Sequence, residues 1–407
     1  SSFIRRARRR RIWLLCTSPD VLGNQLYLPR STYRGGVGDN PLNDYGAPHF
    51  LADFGRSQFR NNGGVVPSFT SLSGLTFTRA LAAYGQTSAG ALTLFGSGVP
   101  RITDKGLLIE GARTNKCTNY NAAPNGSLTN ITKSGDAAAT LTEVDDTAAL
   151  ATAGLSQICS SGKVFKLDNS AGGSAAYATF EGTTGNTNTH NFSLWARGSG
   201  TMRYGDNGGF ASGTITLTSA FVRYSHADAT VGSGAKMAVE AQAGAIVYFI
   251  LNQLEEGGFV SSPIPVAGAS VTRPADVCSI AVSGLAYPLT AFEEFEIPVL
   301  GASASQSFFA VNGPTTANRV LVYNNSTIPR LYVDSGGVNQ ANLNAGSISA
   351  GVVTRVAARV STNSMQMAKL GTRGTEDTSC TVPAALTDVL LGQETTSVNQ
   401  LFGYIKR

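Results

Sequence analysis

Charged residues are scarce in this sequence. Asp, Glu, Lys and Arg together make up 14% of the chain, against about 25% in ordinary soluble domains. The i,i+4 pairs of opposite charge that mark exposed helices are almost missing. Gly, with 46 residues, is abundant instead, as are Ser, Thr and Asn. The composition therefore predicts strands and loops rather than helices.

Long apolar runs are also missing. No stretch of about 18 uninterrupted apolar residues occurs, so we expect no membrane insertion. The cysteines are odd in number and far apart, form no CxxC pair, and are expected to be small buried hydrophobes, which fits assembly in a reducing cytoplasm. They are Cys16, Cys117, Cys159, Cys278 and Cys380.

Histidines are equally few and dispersed. Neither they nor the cysteines lie at the spacing that metal ligands or a catalytic triad would need. We therefore predict no metal site and no cofactor. The three histidines are His49, His190 and His226.

Six of the 31 basic residues crowd into the first eleven positions. Without them the formal charge is −1, because 25 basic residues face 26 acidic ones. Like charges this close repel one another, so the cluster needs an acidic partner surface, nucleic acid or free solvent around it. The six are Arg5, Arg6, Arg8, Arg9, Arg10 and Arg11.

Strand-like segments recur along most of the chain. In residues 192–197 (FSLWAR), Phe192, Leu194 and Ala196 occupy one face and the residues between them the other, as the two-residue period of a strand requires. Residues 116 to about 268 hold seven such segments between Gly, Asn, Ser and Thr turns, which predicts a sandwich or jelly roll. Eight further segments between about 271 and 407 predict a second sandwich.

Three segments resemble a linear signature of bacteriophage and prophage structural proteins. They are LTFTRALAAYG (75–85), GVPRITDKGLLIEGARTN (98–115) and NQLEEGGFVSSPIPVAGASVTRPADVCSI (252–280). In those relatives the first two segments form one block and the third segment forms another. The two blocks bracket a jelly-roll module similar to carbohydrate-binding modules. A concanavalin A-like or laminin-G-like module often follows it. The resemblance thus implies a virion protein with two β modules.

Pattern and resemblance together predict a mostly β chain with an extended N-terminal anchor followed by two antiparallel β-sandwich domains. Residues 1–115 are the expected virion-anchoring arm and linker, 116–270 a carbohydrate-binding-module-like sandwich and 271–407 a concanavalin A-like sandwich. A chain of 407 residues exceeds the about 250 to 300 that one core usually organises, which also favours several domains.

The expected function is that of a non-enzymatic fibre or spike subunit of a virion, assembled in the host cytoplasm. The arginine cluster would dock on other virion proteins, and the sandwiches would bind host surface glycans. A homo-oligomer such as a trimer is expected of this class of object, although no heptads encode it. Two alternatives stay open: a virion-associated polysaccharide depolymerase, and a head decoration or connector protein whose arginines face nucleic acid or acidic capsid surface.

Glycan binding needs an aromatic plate for the apolar face of a sugar and planar polar groups for its hydroxyls. Trp195 and Tyr204, with Asp206 and Asn207 nearby, offer that combination. In the alternative interpretation, Trp195 packs between sheets and the polar residues only close a turn.

Two further sets of charged residues lead to structural expectations. Arg113 and Arg273 are each predicted to pair with a nearby carboxylate, such as Glu110 or Asp276. Glu293, Glu294 and Glu296 are candidates for glycanase acids. Glu294 and Glu296 would share a strand face about 6.5 to 7 Å apart, which is within the range that the two acids of a glycanase need. The flanking motif of a glycanase is missing, so a solvent-facing edge strand is the favoured interpretation. No catalytic residue is nominated.

Overall fold

The computed structural model describes residues 16–17, 50–61, 64–119, 128–210, 212–301, 305–395 and 398–407. The described residues form 32 strands and one α-helix, α1 (Thr147–Thr152). The strands run in chain order as β1 (Cys16–Thr17), β2 (Phe50–Asp53), β3 (Gln58–Asn61), β4 (Gly64–Val66), β5 (Leu75–Thr78), β6 (Ala83–Gln86), β7 (Leu92–Phe95), β8 (Arg101–Thr103), β9 (Gly106–Ile109), β10 (Arg113–Asn115), β11 (Ile131–Gly135), β12 (Thr140–Asp145), β13 (Lys163–Asp168), β14 (Ala176–Thr183), β15 (His190–Ser199), β16 (Thr201–Asp206), β17 (Ile215–Thr216), β18 (Val222–Asp228), β19 (Lys236–Ala241), β20 (Ile246–Glu256), β21 (Val271–Arg273), β22 (Val277–Ala281), β23 (Leu289–Glu296), β24 (Ser305–Asn312), β25 (Arg319–Asn325), β26 (Ile328–Ser335), β27 (Val338–Asn344), β28 (Thr354–Ser361), β29 (Ser364–Lys369), β30 (Thr372–Asp377), β31 (Asp388–Leu391) and β32 (Gly403–Ile405).

The mostly β fold predicted from composition is confirmed, and each of the seven and eight strand-like segments predicted for the two sandwiches overlaps an observed strand. The chain divides into two compact units. We call the unit of residues 79–101 and 112–275 the central sandwich. The C-terminal sandwich comprises the described residues up to Thr78, together with 102–111 and 276–407.

The central sandwich packs two five-stranded antiparallel sheets face to face. One sheet has the order β11-β14-β19-β16-β17 and the other β12-β13-β20-β15-β18. Their facing residues form one buried core, in which the rings of Phe165, Phe180 and Phe249 lie within 6.2 Å of one another. Alternation explains this core, because the residues between these inward-facing positions point to the outer faces.

The second five-stranded sheet of the central sandwich is also covered on its outer face. The hairpin of β6 and β7 contributes Tyr84 and Leu92, and α1 contributes Leu150, to a second apolar cluster that includes Trp195. Among the described residues, no comparable apolar cluster lies on the outer face of the first sheet. The two outer faces of the central sandwich therefore differ in what they can offer to a ligand.

The C-terminal sandwich packs a sheet of order β30-β29-β28-β23-β32-β9-β8, with β1 paired to β23, against a sheet of order β27-β26-β25-β24-β31-β22-β5. A large apolar core lies between them, and the rings of Phe295 and Phe308 stack there at 3.7 Å. The small β2-β3-β4 sheet adds Phe50, Phe59 and other residues to the same core.

The division into units differs from the predicted domains within residues 50–115. This stretch was expected to be extended linking structure, but β5 pairs with β22 and β9 pairs with β32 inside the C-terminal sandwich. Residues 79–101 belong instead to the central sandwich. The short strands are apolar on one side, so they are stable only where a partner strand completes their hydrogen bonds and buries that side.

Four of the five cysteine side chains are described, and all four are buried thiols. Burial raises the pKa of both Cys117 and Cys159 to about 12. The prediction that they serve as small buried hydrophobes is confirmed for these four. No helix among the described residues is long and apolar enough to cross a membrane.

Candidate functional site

Trp195 and Tyr204, the predicted glycan-binding aromatics, do not face solvent. Trp195 is 4% exposed and Tyr204 is 2% exposed. Tyr204 lies in the core between the sheets of the central sandwich, and Trp195 lies in the cluster covered by β6, β7 and α1. The two rings are therefore in different cores and form no common plate, so their prediction as glycan ligands is wrong.

The surroundings of Trp195 explain its burial. The residue alternates with Leu194 and Ala196, which face the opposite core, as the strand pattern predicted. The guanidinium of Arg223, directly opposite on β18, lies 4.4 Å from the centre of the Trp195 ring. The alternative interpretation, in which Trp195 is a packing residue, fits this arrangement.

Asp206 and Asn207 close a tight turn, as the same alternative interpretation expected. The carboxylate of Asp206 accepts hydrogen bonds from the backbone N–H groups of Gly208 at 3.0 Å and Gly209 at 3.2 Å. The side-chain oxygen of Asn207 accepts from the backbone N–H of Lys236 at 2.9 Å. The chain then reaches Phe210, which has a positive φ of 48°. The turn thereby directs Phe210 back over the outer face of the first sheet.

An aromatic pair lies on that outer face. The rings of Phe210 and Tyr177 stack with centroids 5.4 Å apart and planes inclined by 28°, and both residues are half-exposed. Gly135 makes room for the pair, since a Cβ built there would lie 2.7 Å from a ring carbon of Tyr177. Gly135 also has a φ of 79°, which favours glycine.

Polar groups border the aromatic pair. Tyr177 lies opposite Glu240 on β19, and Glu240 lies opposite Arg203 on β16. Arg203 and Glu240 form a two-pronged ion pair, with Nε–Oε2 at 2.6 Å and Nη2–Oε1 at 2.8 Å. Gln242 donates to Oε1 of Glu240 at 2.6 Å. The hydrogen bond that Arg203 donates to Glu240 raises the pKa of Arg203, so the guanidinium stays charged.

The guanidinium of Arg203 also lies 5.4 Å from the centre of the Phe210 ring, within cation–π range. Arg203 is thereby held both by its carboxylate and by the ring. We call this set of residues the outer platform: Tyr177, Arg203, Phe210, Glu240 and Gln242.

The outer platform has the chemistry that was expected of Trp195 and Tyr204, at other positions. Its rings present an apolar surface, its arginine and amide are planar groups able to bond hydroxyls, and the buried carboxylate of Glu240 fixes both of them. Tyr177, Arg203 and Glu240 point away from the core because their neighbours in sequence point inward. That alternation was readable for Tyr177, whereas the register that joins it to Glu240 and Arg203 was not.

Two buried arginines of the segments 75–85 and 98–115 donate hydrogen bonds to backbone carbonyls inside the fold. Arg79, 2% exposed, donates to the backbone carbonyls of Leu81 at 2.8 Å and Gly96 at 2.7 Å. Arg101, fully buried, donates to the carbonyl of Tyr84 at 3.0 Å. Such bonds satisfy carbonyls that irregular segments would otherwise leave unpaired.

Other contacts are described for the residues of the predicted carboxylate pairings. Arg113 donates to the backbone carbonyl of Glu256 and lies 4.3 Å from the centre of the Phe259 ring. Asp276 accepts from the backbone N–H of Glu110 at 2.9 Å, and its own N–H donates to the Glu110 carbonyl. The pairing of Arg113 and of Arg273 with a carboxylate stays a prediction.

The three glutamates of β23 are not on a solvent-facing edge. The strand lies between β28 and β32, so the prediction of an edge strand is wrong. Glu294 bonds Arg355 at 2.7 Å and Glu296 lies 3.0 Å from Lys406. Glu293 points the other way and is fully buried. Three acidic residues within four positions suggested a solvent-facing strand. Two of them are instead neutralised by Arg355 on β28 and by Lys406, which directly follows β32.

Two further predictions concern the arginine cluster and metal binding. The arginines at positions 5, 6, 8, 9, 10 and 11, predicted to anchor the chain, lie outside the described residues. Among the described residues no group of three or more His, Cys, Asp or Glu side chains could hold a metal ion.

Comparison with known proteins gives little to add. No protein-family model matches the chain, and no curated protein matches it. Among solved structures, domains LG4-5 of the mouse laminin alpha1 chain are similar at 10% sequence identity and a TM-score of 0.23, over 53% of this chain and 79% of that one. A likeness this low carries no argument about function.

Proposed function

We propose that this chain is a structural subunit of a bacteriophage particle, of the fibre or spike type, and that it binds glycans on the host surface. The outer platform is the observation that carries the binding part. The three segments that resemble phage structural proteins support the assignment to a virion. Weak contacts with single sugars would suffice, because repeated subunits on one particle raise the effective concentration of each further contact.

The outer platform supports glycan binding through its combination of groups. A sugar ring presents an apolar face of C–H groups, which packs on an aromatic ring, and a rim of hydroxyls, which need fixed donors and acceptors. Phe210 offers the ring, and Arg203 and the amide of Gln242, both half-buried, offer polar groups, while Glu240, only 1% exposed, holds these two side chains in place. The ion pair neutralises itself, which suits a neutral saccharide.

A glycan array followed by calorimetric titration of the full chain tests this proposal. Phe210→Ala is expected to weaken binding of the best array glycan by about tenfold or more, the loss of one stacked ring being on the order of 1.4 kcal/mol. Phe210→Trp is expected to retain binding. Tyr248→Ala, which removes a half-exposed ring from the other sheet of the same sandwich, is the matched control and is expected to bind normally.

Two outcomes would contradict the binding proposal. One is an array on which the wild-type chain retains no glycan. The other is equal weakening by Phe210→Ala and Tyr248→Ala, which would indicate general loss of structure. Thermal unfolding of each variant separates that case from a local effect.

The virion part of the proposal places the arginines of residues 5–11 against other virion proteins and the sandwiches outward, in a homo-oligomer. A gold-labelled antibody against the chain, applied to particles from a producing culture, is expected to decorate projections from the particle. Steep salt dependence of DNA binding, lost on deletion of residues 1–11, would instead favour a head connector.

The proposal assigns binding and no catalytic step. The depolymerase alternative predicts that host polysaccharide incubated with the pure chain becomes shorter. The expected result is an unchanged length distribution in size-exclusion chromatography.

A further inference from the structure

A second group of aromatic and polar side chains lies on the C-terminal sandwich. On the outer face of β25, β26 and β27, Arg330 lies between Tyr323 on one side and Asn344 on the other. Two residues along β26, Tyr332 lies between Leu321 and Asn342. Residues directly opposite one another share a face of the sheet. We call this set the Arg330 patch: Tyr323, Arg330, Tyr332, Asn342 and Asn344.

The Arg330 patch is open to solvent above and apolar below. Tyr323, Arg330 and Tyr332 are half-buried, and Asn342 and Asn344 are exposed. Leu321, only 3% exposed, forms a small apolar cluster with Ala310 and Leu390, against which both tyrosine rings pack. The rings are therefore held in place before any ligand arrives.

Arg330 differs from the other arginine on this face in its charge balance. Arg319 bonds Asp334 at 2.9 Å and also bonds Glu394, so two carboxylates compensate it. Arg330 has only a neutral bond, from Nη1 to the side-chain oxygen of Asn342 at 2.9 Å. Within the described part of the chain it makes no ion pair, and its Nε is buried without a hydrogen-bond partner, so a ligand would bond the Nη groups.

An uncompensated guanidinium on the same sheet face as two tyrosines, one opposite it and one two residues along its strand, fits one ligand chemistry best. A guanidinium forms paired, charge-assisted hydrogen bonds to a carboxylate. Directly opposite side chains lie about 5 Å apart and next-but-one residues on a strand about 7 Å apart, which leaves room for one sugar ring. We propose that the Arg330 patch binds a saccharide that carries a carboxylate, with Arg330 on the carboxylate, Tyr323 and Tyr332 on the ring, and the two asparagines on hydroxyls.

This site is separate from the outer platform in position and in ligand. The outer platform belongs to the central sandwich, and its arginine is compensated by Glu240. The Arg330 patch belongs to the C-terminal sandwich and leaves its cation available. Neither proposal depends on the other.

Calorimetric titration of the full chain with tetragalacturonate, and with neutral maltotetraose as a comparison, tests the inference. Arg330→Gln is expected to weaken tetragalacturonate binding about tenfold or more, and Arg330→Lys by less, because lysine keeps the charge and loses the paired geometry. Arg373→Gln removes the same charge from an exposed position on β30 in the other sheet. This control is expected to bind as the wild type does.

Three results would overturn the inference. They are no tetragalacturonate binding by the wild-type chain, binding unchanged in Arg330→Gln, and equal loss in Arg330→Gln and Arg373→Gln. Loss in Phe210→Ala without loss in Arg330→Gln would place the acidic sugar on the outer platform. That result would support the proposed function and overturn the Arg330 patch. Thermal unfolding confirms that each variant is folded.

Discussion

Phe210 stacks on Tyr177, with ring centroids 5.4 Å apart. The stack joins a residue of the turn after β16 to a residue of β14, two strands away in the sheet. It depends on the positive φ of Phe210 and on the turn that Asp206 closes. The position of Phe210 on the outer platform is thus fixed by a few backbone hydrogen bonds.

Asp206→Ala is therefore expected to weaken glycan binding through the position of Phe210, without removing a ligand group. Loss of the two carboxylate bonds should cost about 1 kcal/mol in the free energy of unfolding. Asp377→Ala removes the same kind of turn bond, to the N–H of Ser379 at 2.9 Å, from the C-terminal sandwich. Urea unfolding and calorimetric titration should show similar destabilisation for both and weaker binding for Asp206→Ala alone. Unchanged binding in Asp206→Ala would contradict this role.

Trp195→Ala is expected to destabilise the chain by about 3 to 5 kcal/mol, as other large-to-small core substitutions do. The ring packs against the hairpin, α1 and Arg223, so its removal leaves a cavity in that cluster. Trp195→Phe should recover much of the loss. Urea unfolding measures both. A stable Trp195→Ala variant that lost glycan binding would return Trp195 to the role of a sugar ligand.

Glu293 should make the chain less stable as pH rises. Its side chain is fully buried, neither carboxyl oxygen has a hydrogen-bond partner among the described residues, and burial raises its pKa well above 4.5. The folded state then holds a proton that the unfolded state releases above pH 4.5. The free energy of unfolding therefore falls by about 1.4 kcal/mol per pH unit between the pKa of Glu293 in the unfolded state and its pKa in the folded state. Below the pKa of the unfolded state, this loss of stability is absent.

Glu293→Gln is expected to remove this slope, and Glu293→Met to raise stability at pH 7. Glu296→Gln, on the same strand but beside Lys406, is the control that should keep the slope. Urea unfolding at several pH values from 4 to 8 measures it. A wild-type curve parallel to that of Glu293→Gln would show that Glu293 is ionised in the folded state.

His190 should act in the opposite direction, at acid pH. Burial lowers its pKa below 6.5, and the ammonium of Lys116 lies 3.0 Å from Nε2 while Nδ1 lies 2.7 Å from the carbonyl of Asn188. Nε2 can accept the Lys116 proton only while the ring is neutral. Because the unfolded state binds a proton first, stability is lost as pH falls below 6.5 and levels off below the folded pKa.

His190→Gln keeps an acceptor for Lys116 and does not titrate, so it is expected to flatten the stability profile between pH 5 and 7. His226→Gln, at a half-exposed position on β18, is the control that should keep the wild-type profile. Thermal unfolding across this pH range measures both. Identical profiles for the wild type and His190→Gln would contradict the neutral state of His190.

Sequence pattern predicted the fold well and the site poorly, for physical reasons. Alternation placed Phe192, Leu194 and Ala196 correctly, because period two is a local property of the strand. It could not tell which outer face another segment covers. Trp195 points outward from its sheet and is nevertheless buried, because residues 83–95, about a hundred positions earlier, fold over it.

The outer platform was beyond sequence reasoning for a related reason. Tyr177, Arg203 and Glu240 meet through strand register, and Phe210 joins them through a backbone φ that is uncommon for a phenylalanine. Asp206 and Asn207 were predicted as glycan-binding residues, and in the structure they close the turn that leads to Phe210. Their role is to shape the turn, which a list of polar residues near an aromatic does not reveal.

Saturation-transfer NMR on the best array glycan shows whether the sugar ring lies on the outer platform. With irradiation of the aromatic protons of the protein, transfer to the C–H protons of the sugar ring is expected in the wild type and in Tyr248→Ala, and its loss is expected in Phe210→Ala. Equal transfer in all three proteins, or none in the wild type, would contradict the claim that the outer platform binds glycan.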